Sequence, residues 1–165
     1  MIFLKRKDIL VGSIFIFLLG SLFHFTYELL GNNFLVSIFS ATNESVFEHT
    51  KLVLYPIIIW YLIFYFKNKI KVNKNGLFSS MIINLIFSIL IIPLLFYFYT
   101  GAFGIESLLV DLIIFYISSL GGLLVAKKFY QKKKILPWQL FLIIIILLYG
   151  IWTFYPLNLP IFMAK

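Results

Sequence analysis

Two histidines, five acidic residues and one lysine carry most of the chemistry this 165-residue chain has to offer. His24 and Glu28 are four residues apart, so on a helix they share one face, with Tyr27 flanking them. The stretch Asn43-Glu44-Ser45-Val46-Phe47-Glu48-His49-Thr50-Lys51 gathers two carboxylates, an imidazole and an amine. At about 100° per residue, Glu44, Glu48 and Lys51 fall within about 60° of arc, and Ser45 and His49 form an adjoining stripe. Glu106 and Asp111 complete the acidic set.

Two imidazoles with one or two carboxylates are a suitable ligand set for zinc, iron or manganese, with a position left open for water. His24, Glu28, His49 and Asp111 are the ligand candidates. Glu44 or Glu48 suits a general base acting on water held by the metal, and Lys51 or Tyr99 suits the stabilisation of developing negative charge. Asn43, Ser45, Tyr27 and Tyr99 would line the same pocket. No H-E-x-x-H string is present, and His49, directly after Glu48, points off that residue's face. A structural reading covers part of the pattern. Ser45-x-x-Glu48 reads as a capping box, with Asn43 or Thr42 as alternative caps, and Lys51 would neutralise Glu44 or Glu48. Carboxylates there also suit the positive end of the helix dipole. That reading leaves His24, Glu28, His49 and Asp111 without a role.

The elements that must position these groups follow from composition. Apolar residues make up 62% of the chain and charged residues 12%, where a soluble domain carries about a quarter charged residues. A soluble core of this size could not hide so much apolar surface, and disorder is excluded as well. Runs near 20 residues are long enough to cross a bilayer as helices. They place five spans at about residues 9–30, 44–66, 77–99, 105–126 and 138–157, in a single all-α domain covering 1–165. The second run is apolar only from Leu52 to Phe66, and needs Glu44 to Lys51 as its opening turns. Alternating segments of a β-barrel are absent. With no cysteine, disulfides, thiolate metal sites and cysteine nucleophiles are excluded. No nucleotide loop, glycine fingerprint or serine-nucleophile motif occurs.

Direction follows from the basic residues. Lys5, Arg6 and Lys7 precede the first span. Lys67, Lys69, Lys71 and Lys74 separate the second from the third. Lys127, Lys128, Lys132, Lys133 and Lys134 separate the fourth from the fifth. The positive-inside rule places these clusters and the N-terminus in the cytoplasm and the C-terminus outside. The formal charge of +8 then reflects contact with anionic lipid headgroups, and nucleic acid is not an expected partner. The first run is too long for a signal-peptide core and lacks a cleavage site, so it is expected to be retained. Asp8 stands beside the basic N-terminus. The five other acidic residues and both histidines map to the outer half. His24 lies six residues before the outer end of its span, about 9 Å deep, and Asp111 lies six residues into the fourth. Ionisable groups in a span cost roughly 2.5–3.5 kcal/mol at its centre and face a bundle interior or wet cavity, which points to one shared pocket.

Smaller signals concern packing. Pro56 and Pro93 lie inside spans, Gly121-Gly122 permits a close helix contact, and residues 34–41 are too short to cross and belong at the outer interface. No internal repeat of the transporter kind is evident.

The string N-E-S-V-F-E-H-T-K at Asn43–Lys51, following H-F-T-Y-E-L-L-G-N-N at His24–Asn33, resembles a family of small, functionally uncharacterised multi-spanning membrane proteins from bacteria. That family carries an N-E-S-x-x-E-H-x-K signature after a first span ending in an H-x-x-x-E pair. Tyr99–Gly101 and Asp111 fit the same pattern. The resemblance implies that these polar positions belong together in a multi-pass protein of the bacterial plasma membrane, and it supplies no activity. Three functions compete. One is a metal-dependent intramembrane enzyme acting on a lipid-like substrate. Another is an ion- or proton-coupled or small-solute transporter, for which Asn84, Ser88, Ser118 and Ser119 are the only polar steps on the cytoplasmic half. The third is an accessory subunit whose polar cluster joins helices.

Overall fold

Backbone amides within long apolar runs find no outside partner, so the chain closes their hydrogen bonds locally as helix. The computed structural model describes residues 5–131 and 137–164; Lys132, Lys133 and Lys134 lie outside them. The described residues form α1 (Arg6–Leu29), α2 (Phe34–Ser37), α3 (Val46–Asn68), α4 (Lys74–Phe103), α5 (Leu108–Gln131) and α6 (Trp138–Phe154). A 3₁₀ turn at Pro160–Phe162 follows, and no strand occurs among the described residues. Helices α1, α3, α4 and α5 are long and apolar enough to cross a membrane, whereas α6, with 17 residues, is shorter.

Helix α1 packs on α3 and α5, α3 on α4, and α4 on α5, which closes a ring of four; α6 leans on α4. Small polar residues are enclosed in the interior of this ring beside its apolar core. Ser13, Ser80, Asn84, Ser88, Ser118 and Ser119 are fully enclosed, while Leu10, Leu18, Leu22, Leu90, Leu94 and Leu124 face outward. Small polar residues inside and large apolar ones outside suit helices that associate by close packing and hydrogen bonds in an apolar solvent. Gly122 shows how close that packing is. A Cβ added there would lie 2.0 Å from Asn84 Oδ1 and 2.6 Å from Ser88 Oγ. The enclosed hydroxyls donate to backbone carbonyls, two within α5 and one from α4 across to α5. Ser118 donates to the Phe115 carbonyl (2.7 Å), Ser119 to that of Tyr116 (2.9 Å), and Ser88 to that of Ser118 (3.0 Å). Pro56 and Pro93 lie inside unbroken α3 and α4.

Two connections shape the site. After α1, Gly31 and Asn32 adopt left-handed backbone (φ 68° and 57°) and turn the chain back. The returning segment packs against α1 through Ser40, whose Oγ accepts the Tyr27 N–H at 2.9 Å and donates to the Phe23 carbonyl. Residues Phe34 and Leu35 are exposed, but Val36, Ser37, Ser40 and Ala41 are buried, so this stretch is an integral cover. The second connection is set by Gly104, left-handed at φ 65°, whose N–H closes α4 on the Thr100 carbonyl. The turn that follows delays α5 until Leu108. Asp111 therefore lies in the first turn of α5, shallower than a span starting at 105 would put it.

Candidate functional site

The start of α3 decides which side chains meet. Ser45 is its N-cap, its Oγ accepting the Glu48 N–H at 3.3 Å, and Asn43 Oδ1 accepts the Ser45 N–H at 2.9 Å. Only half of the capping box forms. The Glu48 carboxylate turns instead to Thr42, taking its N–H at 2.8 Å and its hydroxyl at 3.1 Å. Because helix begins at Val46, Glu44 precedes it and does not share the helical arc of Glu48 and Lys51. Consecutive residues on a helix diverge by about 100°, so Glu48 and His49 lead away from each other.

Glu48 belongs to a closed ion pair. Lys51 Nζ lies 2.6 Å from Glu48 Oε2, donates to the Ser37 carbonyl at 2.8 Å, and meets Thr153 Oγ1 at 3.1 Å. Thr153 Oγ1 also lies 3.2 Å from Glu48 Oε1. Next to it, Thr50 Oγ1 and Tyr149 O–H are 2.7 Å apart. The pair thus ties α3 to the cover segment and to α6. Its oxygens and protons are occupied by protein partners, as a charge pair in a low-dielectric interior requires.

His49 leads to the other cluster. His24 Nε2 and His49 Nε2 are 3.2 Å apart, and Glu44 Oε2 lies 3.6 Å from the first and 3.3 Å from the second. Three elements contribute: α1, the loop before α3, and α3. These three groups have the composition and proximity to hold a metal ion. A tetrahedral ion with bonds of about 2.0–2.1 Å separates its ligand atoms by roughly 3.3–3.4 Å, the edge of the tetrahedron. The observed triangle has nearly these sides. A point about 2.0–2.1 Å from all three atoms lies roughly 0.6 Å out of their plane, which leaves a fourth position on the open side.

The three groups line a cavity of about 370 Å³ between α1, α3, α4 and α5. Its other polar groups include Asp111, Glu106, Ser107 and Ser21, and its walls include Ile92, Phe96, Ile114 and Phe115. Asp111 Oδ1 accepts the Tyr99 O–H at 2.7 Å, and the same Tyr99 oxygen accepts the Ser107 N–H at 3.2 Å. Tyr99 itself is buried behind Asp111 and does not line the cavity.

Of the residues that sequence chemistry singles out, His24, Glu44, His49 and Asp111 therefore meet at one cavity. Glu48 and Lys51 are diverted into the ion pair, and Ser45 and Asn43 organise the helix start. Glu28 is exposed, and neither it nor Tyr27 lines the cavity. Glu44, a base candidate by sequence, lies 3.6 and 3.3 Å from the His24 and His49 imidazoles, in the group that could hold a metal ion. Glu106, which the sequence places among the outer acidic residues without a specific role, also lines the cavity. Thr42, Ser37 and Thr153 give no such signal, since each acts through a partner distant in the chain.

No curated protein and no solved structure matches the chain. The model of a family of unknown function, DUF6512, matches residues 2–165, and the chain belongs to that family.

Proposed function

We propose that the chain is a five-span protein of the bacterial plasma membrane that binds one divalent metal ion through His24, Glu44 and His49 and uses it to act on a lipid-like substrate. The observation that carries this reading is the triangle of ligand atoms, with sides of 3.2, 3.3 and 3.6 Å, on the wall of an apolar cavity. The donor set of two imidazoles and a carboxylate suits zinc, iron or manganese. Such an ion supplies Lewis-acid polarisation and lowers the pKa of water. Asp111, oriented by Tyr99, is the cavity's candidate proton acceptor, and Glu106 is a second. The fifth span is α6, whose 17 residues reach about 26 Å at the helical rise. The apolar residues that follow fold back on it, Phe162 packing against Trp152 of α6 and Phe47 of α3. N-terminus and lysine clusters then face the cytoplasm, against anionic headgroups, with the cavity under the outer leaflet.

Elemental analysis of detergent-purified protein tests the metal. The expected result is one divalent ion per chain, lost in His24→Ala and in His49→Ala while helicity is kept. Metal-free wild-type protein in metal-supplemented medium overturns it. One observation favours a second reading. The Nε2–Nε2 separation of 3.2 Å is also a hydrogen-bond length, so the histidines could share a proton as part of a relay. Metal-free protein that moves protons into liposomes would establish that alternative.

A further inference from the structure

Most of the cavity wall is long helix, but part of it is not. Glu106 and Ser107 line the cavity from the connection between α4, which ends at Phe103, and α5, which starts at Leu108. The one other wall residue outside a helix is Glu44, whose neighbours Thr42, Asn43 and Ser45 are pinned to the start of α3. The α4–α5 connection has no such anchorage at its start. Residues 101–106 are all exposed. Gly104 is left-handed, and around Gly101 and Gly104 no atom from elsewhere in the chain lies within 4 Å of where a Cβ would stand. An exposed stretch with few packed neighbours opens locally at low cost, and hinged cavity walls are drawn from such stretches.

A phenol draws the far end of this stretch onto the bundle. Ser107 gives its N–H to the Tyr99 oxygen at 3.2 Å, and Tyr99 gives its own proton to Asp111 Oδ1 at 2.7 Å. A hydroxyl has one proton to give, so its commitment to Asp111 leaves the lone pairs for Ser107. Tyr99 is 7% exposed and stands edge-on to Phe96, with ring centroids 5.7 Å apart, so its position is set by packing. Asp111 and Phe96 are both cavity residues, and the contact is thereby tied to the cavity itself.

The depth of the cavity gives such a contact something to guard. The His24 and His49 side chains are partly exposed. Ser21, three residues before His24 and so on the same face of α1, lines the same cavity, yet its Oγ is buried and has no hydrogen-bond partner. Ile92 and Ile114, which also line it, are buried. The inner part of the cavity is therefore shut.

We propose that residues 104–107 form a hinged strap in the cavity wall, and that the Tyr99 hydroxyl is the latch that keeps the inner part closed. The strap regulates entry to the cavity of the proposed metalloprotein, but it rests on the wall and the latch and needs no metal.

The chain has no cysteine, so a single introduced thiol reports on its own surroundings. Ser21→Cys, Glu28→Cys and Ser13→Cys are each made in the full chain. Rate constants for labelling by a cationic methanethiosulfonate are measured in nanodiscs on chelator-stripped protein. Glu28 is exposed, and Ser13 is enclosed in the ring away from the cavity. Ser21→Cys is expected to label roughly ten-fold or more slowly than Glu28→Cys. Adding Tyr99→Phe should speed Ser21→Cys about five-fold, the factor that one net hydrogen bond is worth, with Ser13→Cys still unlabelled. Ser107→Pro removes the N–H and leaves Tyr99 and Asp111 in place, and it should do the same. The proposal is overturned if Ser21→Cys already labels as fast as Glu28→Cys, or if either variant speeds it by less than about two-fold. A parallel rise at Ser13→Cys, which would mean general loosening of the bundle, also overturns it. The two readings fail separately. Metal-free protein with the latch effect intact removes the metalloenzyme and keeps the strap, and bound metal without a latch effect does the reverse.

Discussion

The first turn of α3 holds two polar clusters back to back, and they differ in how far protein atoms complete them. On one side, the Lys51 and Glu48 side chains are 0% and 2% exposed, and are answered by Thr42, Ser37 and Thr153. On the other, His24, His49 and Glu44 are 28%, 34% and 62% exposed and border a cavity. Each cluster sets a glutamate against nitrogen-bearing side chains. What separates them is saturation. A buried pair with every lone pair and proton engaged has nothing left to offer a ligand, and its role is to fix the backbone around it. Side-chain atoms 3.2–3.6 Å apart and open on one side could hold a metal ion among them.

The largest effect that would break this contrast is loss of one member of the saturated pair. Lys51→Ala or Glu48→Ala leaves an unanswered buried charge, at about 3–5 kcal/mol. The expected outcome is a folded yield near zero or a steep fall in the temperature of detergent-solubilised unfolding. A change comparable to that of His49→Ala in metal-free protein would show that the two clusters are alike after all.

The open cluster should respond to ligand instead of to truncation. At a free zinc concentration of about 100 times the dissociation constant, binding to the native state adds roughly 2.7 kcal/mol of stability. Wild-type protein should show this as a rise in unfolding temperature, and His24→Ala and His49→Ala should not. The imidazoles must be neutral to bind, so the zinc-dependent rise should shrink as pH falls from 7.5 to 5.5. The ion pair faces no such requirement. A zinc response that grows in acid would contradict the assignment.

The smallest effect sharpens the comparison, because it acts on both clusters at once. Ser45 caps the helix that carries Glu48 and His49. Ser45→Ala should cost about 1 kcal/mol, measured by thermal unfolding, and should weaken zinc binding only a few-fold. Glu44 would be held less firmly next to a frayed first turn.

The long helices were legible because each is a run of apolar residues near bilayer length, a local property. The Ser45 cap and the close contact at Gly122 were legible for the same kind of reason, the first from its neighbours and the second from a pair of glycines in a helical run. The partition of the acidic residues was not. A helical wheel groups Glu44 with Glu48, but Glu44 precedes the helix, so its direction is set by the Asn43–Ser45 turn instead. Thr153 lies 105 residues from Glu48 in sequence, and nothing local marks their contact. Asp111 was legible as an acid in an apolar run, but its depth depended on where Gly104 ends α4.

The covalent adjacency of Glu48 and His49 makes α3 intolerant of slippage. A single residue inserted between Ser45 and Glu48 would rotate the following chain by about 100°, turning the imidazole away from His24 and the carboxylate out of its cradle together. Relatives that diverge in length should therefore do so in the Gly104–Ser107 connection, where an added residue changes the rim and leaves the helical phase untouched.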